Sequence, residues 1–69
     1  MKRIPVDFNA LRTDNSLLVK LEDSEVQLNE EVVLYDSVYE ELSFLGRVRK
    51  LNEKREAVIG VTWESAYGA

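Results

Sequence analysis

Two runs decide the reading: Ser43-Phe44-Leu45-Gly46-Arg47-Val48-Arg49-Lys50-Leu51 and Glu56-Ala57-Val58-Ile59-Gly60-Val61-Thr62-Trp63-Glu64, joined by Asn52-Glu53-Lys54-Arg55. Each alternates with the two-residue period that turns one face of a strand into a core. The four polar residues between them suit a hairpin loop. If Leu51 opposes Glu56, paired positions sum to 107. One face then carries Phe44 with Trp63, Gly46 with Val61, Val48 with Ile59 and Lys50 with Ala57. The other carries Leu45 with Thr62, Arg47 with Gly60, Arg49 with Val58 and Leu51 with Glu56. The first set reads as core, because a slip of one residue would turn charges inward along the whole hairpin. Trp63 is thereby expected inside, where truncation to Ala costs about 3–5 kcal/mol. Gly46 and Gly60 are expected at bends or bulges where the sheet curls.

Upstream, the same period recurs at Ile4, Val6, Phe8 and Ala10, and Pro5, which has no amide proton, assigns that segment to an edge. Arg12-Thr13-Asp14-Asn15-Ser16 has turn chemistry. A second strand follows, with Leu17, Val19 and Leu21 on one face and Leu18, Lys20 and Glu22 on the other. Asp23-Ser24 breaks it, and Val26 and Leu28 resume the alternation. Val32-Val33-Leu34-Tyr35 is apolar on both faces, as in a central strand. Between 36 and 42, Ser37 with Glu40 fits a capping box, but the segment is short and reads as an irregular loop with at most one helical turn.

The chain has 69 residues, of which 45% are hydrophobic, enough for one small core and therefore one domain over 1–69, with 64–69 a frayed tail. It contains neither cysteine nor histidine. Disulfides, thiolate and imidazole metal sites, and Cys- or His-dependent nucleophilic catalysis are excluded with them. The acidic stretches Glu22-Asp23-Ser24-Glu25 and Glu30-Glu31 match no calcium-loop spacing. Paired carboxylates alone, in a chain this short, point to no cleft for acid–base work. The expectation is a protein that is not an enzyme and needs no cofactor and no metal. Met1-Lys2-Arg3 is followed by Asp7, Asn9 and Arg12 where an export signal would be apolar, and no apolar run reaches membrane-spanning length, so a cytoplasmic location is expected.

These elements make an all-β domain, a small antiparallel barrel or roll of five or six strands. From residue 31 onward the order of strand, polar loop, Gly-containing strand, tight turn and aromatic-ending strand resembles the SH3-like and Tudor-like small barrels. Lys-Arg-Ile-Pro-Val-Asp-Phe-Asn at the start, Val-Val-Leu-Tyr-Asp in the middle and Val-Thr-Trp-Glu near the end are similar to short bacterial proteins of this size. The likeness to the small barrels implies that fold, and the likeness to the bacterial proteins carries no activity with it.

Charge is unevenly placed within the net −4: Glu22 to Glu41 holds eight acids and no base, whereas Arg47 to Arg55 holds five bases and one acid. Arg47, Arg49, Lys54 and Arg55 form a stripe that suits a phosphate backbone, or one that pairs with acids of a neighbouring strand. Leu45, Val58 and Leu51 run beside it on the outer face, an apolar stripe rimmed by Arg of the kind that contacts proteins. Tyr35, Tyr39 and Tyr67 are the aromatics left outside the core. The expected function is non-catalytic binding of a protein partner, self-association included, through Arg47, Arg49, Lys54, Arg55, Leu45, Val58 and Tyr39. Binding of an RNA or DNA backbone by hairpin 47–55 is the alternative; a membrane surface or a small-molecule substrate is not expected.

Overall fold

The computed structural model describes residues 1–22 and 25–65. Strands β1 (Arg3–Val6), β2 (Ser16–Lys20), β3 (Glu31–Asp36), β4 (Ser43–Leu51) and β5 (Glu56–Ser65) form one sheet in the order β1-β3-β4-β5-β2. The domain is all-β: apart from a 3-10 turn at Phe8–Ala10, no helix occurs among the described residues. None there is long and apolar enough to cross a membrane. The sheet curls into a half-barrel around Ile4, Val6, Leu17, Val19, Val32, Leu34, Val48, Ala57, Ile59 and Val61, all buried. This is the small barrel of the sequence reading, built with five strands.

Two details of that reading change. The pair β1–β3 is parallel, with Ile4 opposite Leu34, while the other three pairings are antiparallel. The alternation of Ile4, Val6, Phe8 and Ala10 is a strand only to Val6. Asp7 then caps the 3-10 turn by accepting a 2.9 Å bond from the Asn9 amide, because a short Asx side chain offers the backbone a local partner. Val26 and Leu28 lie in a loop, and Val26 still reaches the core. Asp23, Ser24 and residues 66–69, Tyr67 among them, fall outside the described residues.

Pro5 sits where its missing proton costs nothing. The carbonyls of Lys2 and Val6 accept bonds from the amides of Val33 and Ser37, so even-numbered residues of β1 face β3 and the nitrogen of Pro5 faces the outer edge.

In the β4–β5 hairpin the expected register holds at its centre: Gly46 opposes Val61, Arg47 opposes Gly60 and Val48 opposes Ile59. Toward the turn it shifts by one, so that Lys50 opposes Val58 and Leu51 opposes Ala57. Arg55 explains the shift. It adopts a left-handed φ of 58°, and Asn52 closes the loop through its amide to the Glu56 carbonyl at 3.1 Å. A loop of that kind ends in a left-handed residue and sets its own register. The core sets the other register, and the extra residue between them, Arg49, is a β-bulge. The bulge corrects the assignment of Lys50 to the inner face: Lys50 lies exposed opposite Val58, and Leu51 takes the place beside Ala57.

The other end departs further. Phe44 opposes Ser65, so between the Gly46 and Phe44 pairings β5 contains two more residues than β4. Trp63 falls in this excess with φ 61°, and it is 47% exposed. The expectation that Trp63 is a core residue paired with Phe44 is overturned. Period-two counting stops at a bulge, and the side chains beyond it turn to new directions.

Candidate interaction site

Trp63 leaves the core without leaving its neighbour. Its ring stands edge-on to Phe44 with centroids 5.3 Å apart, and Phe44 meets Phe8 edge-on at 5.4 Å. Phe8 and Phe44 are half-buried and pack against the core, so the row lies along the rim of the barrel and ends at Trp63 in solvent. Edge-to-face contacts of this kind add about 0.5–1.5 kcal/mol each to the burial they bring. A left-handed backbone at a bulky aromatic residue is a genuine outlier, costing roughly 1–3 kcal/mol that the surrounding structure must offset.

Two short segments frame this end. The 3-10 turn delivers Phe8. The loop from Ser37 to Leu42 presents Val38, Tyr39 and Leu42 to solvent, with Tyr39 63% exposed. Asp36 holds the loop in shape: its Oδ1 accepts the amides of Val38 at 2.8 Å and Tyr39 at 2.9 Å. Its own amide donates to the Leu42 carbonyl at 2.9 Å, closing the loop. The amides of Tyr39 and Val38, then that of Phe8, keep the Asp36 carboxyl below the usual carboxylate range, against the opposing effect of burial. One carboxylate therefore fixes the loop that carries the exposed Val38, Tyr39 and Leu42. Ser37 does not act as a helix cap; the segment is a series of bends and turns.

The residues read from sequence as a binding surface divide into three places. Leu45, Arg47, Arg49 and Val58 do share the outer face of β4 and β5, with Leu45 and Val58 half-buried. Lys54 and Arg55 sit in the hairpin turn, and Tyr39 lies at the opposite end of the sheet. The arginines are engaged with the chain's own loops. Arg47 donates to the Asn29 carbonyl at 2.9 Å and lies 3.5 Å from the Glu31 carboxylate. Arg49 crosses over Gly60, where a side chain would collide with its guanidinium, and donates to the Asp14 carbonyl at 3.3 Å. Arg55 donates to the carbonyls of Leu21 and Glu22, each at 3.4 Å. Each of these three arginines thus ties a connecting segment to the hairpin, which accounts for their spacing along it.

At the Arg49 contact, Asp14 also accepts the Ser16 hydroxyl at 2.5 Å and the Ser16 amide at 3.2 Å. The Ser16 hydroxyl bond is the main cause that lowers the Asp14 carboxyl, with the charge of Arg49 adding to it. Among the described residues no group of three or more Asp or Glu side chains is arranged to hold a metal ion. Sequence reasoning missed Trp63, Phe44 and Phe8 as a surface because alternation placed all three on the inner face. The one available signal was the Trp itself, near the end of a strand whose partner strand begins with an aromatic. No protein-family model matches the chain, and no curated protein and no solved structure is significantly similar to it.

Proposed function

We propose that the chain is a non-catalytic interaction module that docks a protein partner against the aromatic end of the half-barrel, with Trp63 as the anchor. The observation that carries this reading is Trp63 itself: about half exposed, in a left-handed backbone, and braced edge-on by Phe44. Backbone strain of this kind is retained where a side chain must be displayed in one orientation. Trp is also the residue type most enriched among energetic anchors of interfaces. Val38, Tyr39 and Leu42 extend the same end with apolar surface on a loop fixed by Asp36. The engagement of Arg47, Arg49 and Arg55 with the chain's own carbonyls supports a structural use for the basic hairpin, and so a protein partner over a phosphate backbone.

The test is affinity capture with wild type, a Trp63→Gly variant and an Arg47→Glu/Arg49→Glu variant in parallel, followed by identification and direct titration of the retained component. A protein retained by wild type and by the charge-reversed variant, and lost with Trp63→Gly, is the expected result. Retention of nucleic acid that disappears with rising salt and with the arginine variant, while Trp63→Gly has no effect, would overturn the reading.

A further inference from the structure

The sheet order leaves β1 and β2 at the two ends of the curled sheet, each with a partner on one side only. Both line the same slot, a cavity of about 440 Å³ bounded by Ile4, Pro5 and Val6 on one wall and Leu17, Leu18 and Val19 on the other. The backbone of β2 has a definite polarity there. The Asn15 carbonyl and the Leu21 amide bond to Val61 and Arg55 of the β5 side, so odd-numbered residues point to β5. The amides and carbonyls of even-numbered Leu18 and Lys20 therefore point into the slot. Ser16, also even-numbered, is already engaged by the Arg12 amide and the Asp14 carboxylate. On the facing wall Pro5 removes an amide from the β1 edge, whereas β2 carries no proline and keeps the amides of Leu18 and Lys20, and its Leu18 is 48% exposed.

We infer that the slot is a second interaction site, which takes one extended peptide strand of a protein partner, paired antiparallel to β2, and so closes the half-barrel. Addition of a strand to an unpaired edge draws affinity from the backbone bonds and specificity from alternate side chains. Charge along the slot defines those side chains. Because β1 and β2 run in opposite directions, the lining residues follow the order Glu22, Lys20, Leu18 along β2, with Asp7, just past the end of β1, at the end away from Glu22. The complementary strand carries, at every second position, a base, an acid, an apolar residue and a base. The residues between them face Ile4, Val6, Leu17 and Val19 and are apolar. The sequence Arg-Val-Glu-Val-Leu-Val-Lys satisfies the pattern, with its Glu opposite Lys20 and its Leu opposite Leu18. No stretch of this chain's own sequence carries a base, an acid, an apolar residue and a base at every second position, so a second copy does not supply the strand.

The test is a titration of the intact, isotopically labelled chain with that heptapeptide, followed by amide NMR shifts and hydrogen exchange. Shifts and slowed exchange centred on the Leu18 and Lys20 amides are expected. Swapping every charge of the peptide should weaken binding about fivefold, since cross-strand opposite-charge pairs are favourable and like charges are not. Lys20→Glu, a change at an exposed side chain, should weaken it about threefold on the same ground. Methylation of the peptide's Leu nitrogen should abolish it, and Trp63→Gly should leave it unchanged. The inference is overturned by an absence of shifts at Leu18 and Lys20 at millimolar peptide. It is equally overturned by binding that survives nitrogen methylation or follows Trp63, and by Leu18 protection that grows with protein concentration in the absence of peptide, the mark of a second copy.

Discussion

The centre of the β4–β5 hairpin and its open end are built from the same alternating sequence and obey different rules. At the centre, Val48 and Ile59 are fully buried and Gly46 lies beneath Leu34 and Ile59, where an added Cβ would come within 2.7 Å and 2.9 Å of their side chains. The layer is closely packed, and the paired register is enforced by that packing. At the open end β5 outruns β4, the alternation is broken, and Trp63 is carried outward on a left-handed residue. Hydrophobicity thus selects the face only where a core exists on that side to receive it. Past the last fully packed layer, the bulge decides.

The contrast breaks first at the centre. Leu34→Ala, in the layer that covers Gly46, is expected to cost about 2–5 kcal/mol in urea unfolding; a cost below 1 kcal/mol would show that the centre is not packed as described. Next come the two hairpin glycines, which face opposite ways. Gly46→Ala forces Leu34 or Ile59 out of place inside the core and should cost about 1–3 kcal/mol. Gly60→Ala has the guanidinium of Arg49 as its nearest obstacle, a flexible side chain that can swing into water, and should cost less than about 1 kcal/mol. Equal costs would contradict the inward and outward assignment of the two positions.

At the open end Trp63→Gly should change stability by no more than about 1 kcal/mol, because relief of the left-handed strain offsets the lost contact with Phe44. A loss of 3 kcal/mol or more in the same unfolding assay would return Trp63 to the core and remove it from the proposed interface.

The smallest effect is the pH dependence of the loop beside Trp63. Asp36 has its carboxyl lowered by the amides of Tyr39 and Val38. Its contribution is fully present above the ordinary carboxylate pKa of about 3.9 and is lost as pH falls through the lowered native value. Fluorescence of Trp63 and Tyr39 should therefore stay constant down to about pH 4 and change only below it. Asp36→Asn keeps the accepting oxygen and should abolish that acid step. An unchanged step in the variant would assign it to another group, Asp14 being the next to examine, since its carboxyl is lowered too.

Much of the fold is legible in the chain because its signals are local. Leu17, Val19 and Leu21 face inward and Leu18, Lys20 and Glu22 outward, as their alternation requires. Val32 to Tyr35, apolar on both sides, is an interior strand between β1 and β4. Pro5 marks an edge. The candidate site was much less legible. Tyr39 was found because it falls in a polar loop, whereas Trp63, Phe44 and Phe8 were hidden by the same alternation that located the strands. The basic stripe of 47–55 includes three arginines bonded to backbone carbonyls from distant parts of the chain, contacts that no spacing within 47–55 can announce.

The class of the protein follows from its residues alone: an all-β fold, a central hairpin with Gly46, Val48, Ile59 and Val61 inside, and no thiol or imidazole chemistry. These follow from period-two patterning and from residue types, which act over a few neighbours. Long-range packing sets the rest: β1 runs parallel to β3, the hairpin takes up extra residues at both ends, and Trp63 stands in solvent while two strand edges share a slot. Those outcomes depend on reconciling a loop register with a core register and on curling the sheet far enough to bury one face. Both are set by contacts between residues remote in sequence, where local alternation carries no information.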